Sequence, residues 1–195
     1  LKNNGKEDLG VEYVSSFALL GIDKEGLLST DQKLEVLIAR NAWQKELIWN
    51  RFSMDQLGMS ISQPDKVRRS SQTISVGNTG NWSTKNYLPM GCLKNKETDS
   101  ILFWQIEQNG SWYWEISDQD GHMYLQLSGP TEHQSHWWKN LKPGDTFKSV
   151  PVSIGSACGD VEEAAGELTK YRRAIRRKNE DNKSEAKRSG RQPSQ

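Results

Sequence analysis

Short runs in which every second residue is apolar occupy most of this chain, and this is the period of β-strands that bury one face. Turn-forming residues separate the runs, as in the Gly-Asn-Thr-Gly segment at residues 77–80. Strands at such intervals favour an antiparallel β-sandwich over alternating β–α units. The predicted strands lie within residues 12–20, 32–39, 44–51, 66–76, 102–106, 112–116, 123–127 and 147–154.

The segment between Trp104 and Trp114 contains Asn-Gly and predicts a hairpin. A two-residue turn would pair tryptophans with polar partners. A three-residue loop instead pairs Trp104 with Trp114 and places the apolar partners on one face. We therefore expect the three-residue loop, with Gly110 in the left-handed conformation. We also expect Trp104, Trp112 and Trp114 to lie in the core of the sandwich.

The apolar period changes to that of a helix after residue 158. Asp160 is a suitable N-cap, and Glu163 stands where its capping-box partner belongs. Beyond Ile175 the chain is almost entirely polar, which is typical of a disordered tail. The predicted division is a β domain at residues 1–158, a helix at 159–178 and a disordered basic tail at 179–195. The expected apolar stripe of the helix is Val161, Ala164, Ala165, Leu168, Tyr171 and Ile175.

Composition indicates a soluble globular chain, with 34% hydrophobic and 26% charged residues. Because no apolar run reaches 18 residues, we expect no membrane-spanning helix and no membrane partner. The first residues do not read as a signal peptide, although the chain begins with Leu1. Cys92 and Cys158 are expected to be buried or half-buried free thiols, and together these observations predict a cytoplasmic location.

Residues 170–191 are strongly basic, with ten Lys and Arg against three Asp and Glu. A basic segment raises the alternative of a nucleic-acid-binding protein. Aromatic residues for base stacking are not interleaved with these charges. We therefore expect a solvated helix end and tail, and no nucleic-acid partner.

Two groups of polar residues were candidates for chemistry of their own. Glu107 and Glu115 lie on opposite faces in the expected hairpin register, which makes them a poor acid–base pair. Glu132, His133 and His136 have some resemblance to a metal-binding motif, but zinc needs further ligands held by a regular element. The sequence therefore predicts no catalytic residue, no metal site and no cofactor within this chain.

Three tryptophans, Trp82, Trp137 and Trp138, fall in or beside predicted loops. An exposed indole ring can stack on the apolar face of a sugar while its N–H donates a hydrogen bond. Three interpretations stay open: contact with another domain or subunit, packing within the local core, and direct contact with a sugar. These three residues are the candidate binding residues of the sequence.

Taken in order, segments of the chain resemble the N-terminal supersandwich domain of α-galactosidases of glycoside hydrolase family 36, a galactose-mutarotase-like fold. The resemblance extends over roughly residues 9–182. Any single segment is a weak signal, but the ordered set is specific. The matching segments are residues 12–19 (EYVSSFAL), 41–44 (NAWQ), 78–85 (NTGNWSTK), 87–91 (YLPMG), 103–107 (FWQIE), 114–116 (WEI), 125–132 (LQLSGPTE), 136–139 (HWWK) and 167–173 (ELTKYRR).

This resemblance implies a β-supersandwich followed by a linker helix that leads into a catalytic (β/α)8 barrel. The family hydrolyses terminal α-galactosyl groups with retention, using two barrel aspartates that have no counterpart here; a barrel needs about 250 residues. The chain alone is therefore expected to be inactive. Its expected partners are its own barrel, a homo-oligomer and, in the full-length enzyme, an α-galactoside. The match ends after residue 182. A frameshift, a gene-prediction error or a truncation would each produce such an end. A stand-alone carbohydrate-binding sandwich is the alternative.

Overall fold

The computed structural model describes residues 1–59, 72–119 and 121–176. Most of its regular structure is antiparallel β-strand, which confirms the predicted β-sandwich class. Three α-helices are present in these ranges, α1 (Thr30–Lys33), α2 (Glu132–Ser135) and α3 (Val161–Ile175), together with a 3-10 helix at Asp55–Leu57. The strands are β1 (Leu9–Val11), β2 (Ser15–Leu20), β3 (Leu34–Ala42), β4 (Lys45–Ser53), β5 (Ile74–Asn78), β6 (Tyr87–Asn95), β7 (Ser100–Ile106), β8 (Trp112–Gln119), β9 (His122–Ser128), β10 (Lys139–Leu141) and β11 (Val152–Cys158).

Two sheets enclose the main core. One has five strands in the order β11-β7-β6-β3-β4, and the other has four in the order β2-β9-β8-β5. The short strands β1 and β10 pair separately from both sheets. Trp104, Trp112 and Trp114 are each at most 1% exposed within the core, as the alternation of the sequence predicts.

The predicted hairpin between the tryptophan-rich strands is wrong. β7 belongs to the five-stranded sheet and β8 to the four-stranded sheet, so residues 107–111 carry the chain from one sheet to the other. Gly110 does not have the positive φ that the expected loop required. Trp104 and Trp114 do meet, but edge to face across the core, with ring centroids 5.2 Å apart. Period-two alternation predicts which face is buried and leaves the strand partner open.

Strand β6 was not predicted, although it lies between β7 and β3 in the five-stranded sheet. Its sequence contains Pro89 and Gly91, which weaken a strand pattern. The structure explains Gly91, because a Cβ at this position would overlap the ring of Trp104. The missing side chain lets the indole lie directly against the backbone of the central strand.

Helix α3 packs on the outer side of the five-stranded sheet, over β11 and β7. Ala164 of the helix packs with Leu37 and Phe103 of the sheet in one apolar cluster. The predicted capping box is confirmed, since the Asp160 side chain accepts from the first-turn backbone and Glu163 accepts from the Asp160 N–H. Two positions of the expected apolar stripe are wrong: Ala165 is exposed and Ile175 is 54% exposed.

Parts of several predictions lie outside the described residues, namely 66–71 of one predicted strand and the tail at 179–195. The division at residues 1–158, 159–178 and 179–195 therefore stays a prediction. Within the described part of the chain, no helix has the length and apolar character needed to cross a bilayer. Both cysteines are free; Cys92 is buried, but Cys158 is exposed, contrary to expectation.

Candidate functional site

The three candidate tryptophans occupy two separate loops. Trp82 lies between β5 and β6 and is 62% exposed, whereas Trp138 immediately precedes β10 and is 63% exposed. Trp137 is half-buried and packs on Phe147, with ring centroids 5.5 Å apart. No ring contact joins these three indoles in the described residues. The binding role of these three tryptophans therefore stays a prediction.

The loop that carries Trp82 is anchored to the core by directed hydrogen bonds. Trp112 Nε1 donates to the carbonyl of Ser83 at 2.6 Å, and Asn78 Nδ2 donates to the carbonyl of Trp82 at 2.8 Å. A third bond joins the loop to the tip of the β3–β4 hairpin, where Asn41 Nδ2 donates to the carbonyl of Thr84 at 2.6 Å. Trp82 is thus presented to solvent by an anchored loop.

The β3–β4 hairpin exposes apolar residues that the sequence analysis did not single out. Trp43 is 88% exposed, and Leu47 and Ile48 are 50% and 43% exposed. Because Asn41 ties this hairpin to the loop of Trp82, we name these four exposed side chains, Trp43, Leu47, Ile48 and Trp82, the aromatic end of the molecule. Exposed apolar groups gathered in one region are typical of interaction surfaces.

The groups considered for metal binding or acid–base chemistry are not assembled for either. His136 and Glu132 approach to 3.9 Å, but their side chains are 93% and 52% exposed. Among the described residues, no cluster of three or more His, Cys, Asp and Glu side chains is suited to a metal ion. Glu107 follows β7 and Glu115 lies on β8, in different sheets, so the reason for rejecting them as a pair is the topology, not the expected register.

Glu115 instead stands at the centre of a hydrogen-bonded group on the outer face of the four-stranded sheet. Tyr113 Oη donates to one carboxylate oxygen at 2.6 Å, and Tyr124 Oη donates to the other at 2.8 Å. Burial raises the pKa of both phenols, and the hydrogen bond to the Glu115 carboxylate raises it further. Burial and the charge of Glu115 also raise the pKa of Tyr13 to about 12. The phenols of Tyr113 and Tyr124 therefore stay protonated at neutral pH and donate to the Glu115 carboxylate.

Two adjoining cavities run along this face. The first holds about 260 Å³ and the second about 250 Å³, and both are lined by Tyr113 and Gln134. We name the pair the tyrosine groove. The first cavity is also lined by Glu12, Tyr13, Glu115, Gln126, Thr131, Glu132 and His133, and the second by Ser75, Gly77, Asn78, Thr79, Lys85, Asn86 and Trp112.

No protein-family model matches the sequence, and no curated protein matches it either. Solved structures do match the fold. The family 36 α-galactosidase AgaA of Geobacillus stearothermophilus superposes with a TM-score of 0.61 at 15% identity, over 83% of this chain and 20% of that one. An α-galactosidase of Lactobacillus brevis gives 0.65 at 14% identity, over 88% and 20%. The galactosidase domain of the α-galactosidase–sucrose kinase AgaSK gives 0.60 at 19% identity, over 80% and 19%.

This chain has the fold of one part of family 36 α-galactosidases. It spans about a fifth of the length of the solved structures that it matches. The family resemblance read from the sequence is therefore supported by an independent comparison of folds. Two variants of AgaA were solved in complex with stachyose and with raffinose, both oligosaccharides.

Sequence reasoning missed the tyrosine groove, although its residues carry a recognisable signal. Tyr113 and Glu115 are outward positions of one strand, and Gln126 is an outward position of the next. The antiparallel register places Gln126 opposite Glu115, and this register was not known. A run in which tyrosine and polar residues fill the outward positions was the available clue.

Proposed function

We propose that this chain is the N-terminal, non-catalytic module of an α-galactosidase that removes terminal α-galactosyl groups from oligosaccharides. The observation that carries the proposal is the fold match, which extends over 80–88% of this chain at TM-scores of 0.60–0.65. The ordered sequence segments that resemble the same family support it independently. The role we assign to the module is to hold the catalytic domain and to contribute to assembly of the enzyme.

The attachment of helix α3 supports a role as a fixed connection between the sandwich and a following domain. At its start, Arg51 bridges Glu35 at 2.8 Å and Asp160 at 2.6 Å. Further along, Tyr171 Oη donates to Glu107 at 2.7 Å, and Arg172 hydrogen-bonds to the side chain of Gln105. Polar contacts at both ends, with apolar packing between them, fix the direction in which the chain leaves the sandwich.

The assembly role is supported by the aromatic end. Trp43 and Trp82 are large apolar side chains that stay largely exposed among the described residues, and aromatic residues are enriched at protein interfaces. We propose that this surface contacts the catalytic domain or a second subunit. The Trp137 and Trp138 segment is a further candidate for such a contact.

Two measurements test the proposal. The purified 195-residue chain should not release nitrophenol from p-nitrophenyl α-galactoside, and hydrolysis above a no-protein control would contradict a non-catalytic role. The DNA downstream of codon 182, read in three frames, should encode an apolar strand followed by a barrel with two aspartates. An unrelated downstream sequence in every frame would count against an α-galactosidase.

A further inference from the structure

The tyrosine groove has no task in the proposed scaffold role. Its lining includes three residues of one row across the four-stranded sheet, in which Gln126 opposes Glu115 and Glu115 opposes Ser75, and Ala18 continues this row at the edge strand. Ala18 and Ser75 are exposed, and Gln126 and Glu115 are half-buried. The face is therefore open to solvent, yet its central carboxylate is held in one position by two tyrosines.

We propose that the tyrosine groove is a binding site for a neutral oligosaccharide. A carboxylate offers about four lone-pair directions, and the two tyrosines occupy two of them. The remaining directions point a fixed acceptor at ligand hydroxyl groups. Carbohydrate hydroxyls are good donors to such an acceptor, and the rings of Tyr13 and Tyr113, which line the first cavity, offer apolar surface for the C–H faces of a sugar.

The rest of the lining fits the same ligand class. The groove presents the side-chain amides of Gln126 and Gln134 in its first cavity and that of Asn86 in its second, where the Asn78 amide nitrogen already donates to the carbonyl of Trp82. Amides donate and accept at once, as hydroxyl groups do. This combination of aromatic surface and a few placed polar groups is typical of small-molecule sites.

Charge argues against an anionic ligand. Glu12, Glu115 and Glu132 line the first cavity, and His133 is the one basic side chain among its described lining residues. A carboxylate or phosphate group there would face uncompensated repulsion. A cationic ligand is disfavoured in the second cavity, which contains Lys85 and no Asp or Glu among its lining residues. A ligand that extends through both cavities is therefore best accommodated when it is uncharged.

The size of the groove indicates more than one sugar unit. Each cavity alone is near the lower limit of about 300 Å³ for a small-molecule site. Because Tyr113 and Gln134 line both cavities, the two lie side by side, and a ligand of more than one sugar unit is needed to reach both. This inference does not depend on the proposed function, since a sandwich of any parent protein would carry the same groove.

The test is a titration of the ¹⁵N-labelled chain with raffinose and with maltotriose, followed by amide chemical shifts. We expect saturable binding of at least one, with a dissociation constant on the order of 1 mM, and shifts centred on Tyr113, Glu115 and Gln126. Absence of binding at 50-fold higher sugar concentration would overturn the proposal. So would shifts centred on Trp43, Trp82 or Trp138, which would assign sugar binding to the tryptophans.

Variants separate the groove from general effects. Glu115→Gln removes the charged acceptor, and Tyr113→Phe removes one of the hydroxyls that fix it; each should raise the dissociation constant at least tenfold. Tyr171→Phe is the matched control, because it also removes a tyrosine–glutamate hydrogen bond, but on the other sheet. It should leave binding unchanged. Equal losses in all three variants, or none, would contradict the site.

Two charged probes complete the design. Glucuronate, which the glutamates of the first cavity would repel, should bind at least tenfold more weakly than the better neutral sugar. Tighter binding of tetramethylammonium would reassign the groove to an aromatic cage for cations and overturn the proposal. Because the readout is binding, a negative result here is distinguishable from failure of the α-galactosidase proposal, which is tested by hydrolysis and by downstream sequence.

Discussion

The outer faces of the two sheets differ in what their outward-facing strand positions carry. On the five-stranded sheet these positions include Leu37, Ile101 and Phe103, all buried beneath α3. On the four-stranded sheet they include Tyr113 and Glu115, which stay partly exposed. Both sheets use the same alternation toward the shared core. The inward positions are therefore alike in the two sheets, and it is the residues at the outward positions that indicate whether a sheet is covered by a helix.

The covered face should tolerate truncation least. Leu37→Ala removes a side chain that is 1% exposed and packed under α3, and we expect a loss of about 2–5 kcal/mol in the free energy of unfolding. Gln126→Ala on the open face should cost about 0.5 kcal/mol or less. Urea unfolding followed by tryptophan fluorescence measures both. Equal losses would show that the two faces do not differ in their contribution to stability.

Two glycine-to-alanine substitutions within the covered region should change the free energy of unfolding in opposite directions. At Gly155, on β11, a new Cβ would overlap the Phe103 ring, so alanine should destabilise the chain by about 1–3 kcal/mol. At Gly166, on the exposed side of α3, a Cβ meets nothing within 4 Å, so alanine should stabilise it by about 0.5–1 kcal/mol. Thermal unfolding of the two variants tests this, and a shift of both in one direction would contradict the packing described.

The two faces also differ in how far sequence could predict them. The capping box at Asp160 and Glu163 is a local pattern, and it was read correctly. The tyrosine groove depends on strand register between distant segments, and local period does not contain register. The same reason explains the wrong β7–β8 hairpin. An Asn-Gly pair favours a turn, but the tertiary gain of burying Trp104 against Trp114 across two sheets decided the pairing.

Strand β6 and Trp43 were missed for different reasons. The sequence of β6 contains a proline and a glycine, which lower the local propensity for a strand. The tertiary structure stabilises the strand nevertheless, because β6 lies between two other strands and Gly91 packs against Trp104. Trp43 lies between the predicted strands at 32–39 and 44–51, and it was used only as part of the family-resembling segment 41–44, so its exposure was not considered. Its 88% exposure follows from its place at the tip of a hairpin, which only the β3–β4 register reveals.

Loss of the N-cap of α3 should destabilise the helix while leaving it packed on the five-stranded sheet. Asp160→Ala deletes the N-cap acceptor and one ion pair of Arg51, and we expect a cost of about 0.5–2 kcal/mol. Glu162→Gln, at an exposed first-turn position outside the capping box, is the control and should cost less than half as much. Hydrogen exchange of α3 amides should rise in the first variant. Unchanged exchange would mean that the cap does not hold the helix to the sheet.

Acid should weaken the covered face. Burial would raise the pKa of Asp160 and Glu35, but hydrogen bonds and charges, chiefly from Arg51, outweigh it and lower both below their usual values. The unfolded state therefore takes up these protons first, and their stabilisation, present above about pH 5, is lost as pH falls toward 3. Since the groups are partly exposed, Arg51→Gln should cost only about 1 kcal/mol at pH 7. The difference from wild type should shrink progressively as pH falls through the lowered pKa values of the two carboxyls. A difference independent of pH would contradict the ion pairs.

Alkali should weaken the open face, with the smallest effect of the series. The pKa of Tyr13 is raised to about 12, and those of Tyr113 and Tyr124 are raised as well, by burial first and then by Glu115. Because unfolded tyrosines lose their protons near pH 10, the stabilisation they provide is present below pH 10 and falls as pH rises toward 12. Glu115→Gln removes the second of these causes and leaves burial in place, so the pKa values should fall partway and phenolate absorbance should appear at lower pH in the variant. The Tyr171→Phe control should shift neither this titration nor the alkaline stability limb by a comparable amount. If Glu115→Gln leaves the phenolate titration unchanged, the carboxylate is not held against the tyrosines, and the distinction between the two faces reduces to the presence of α3.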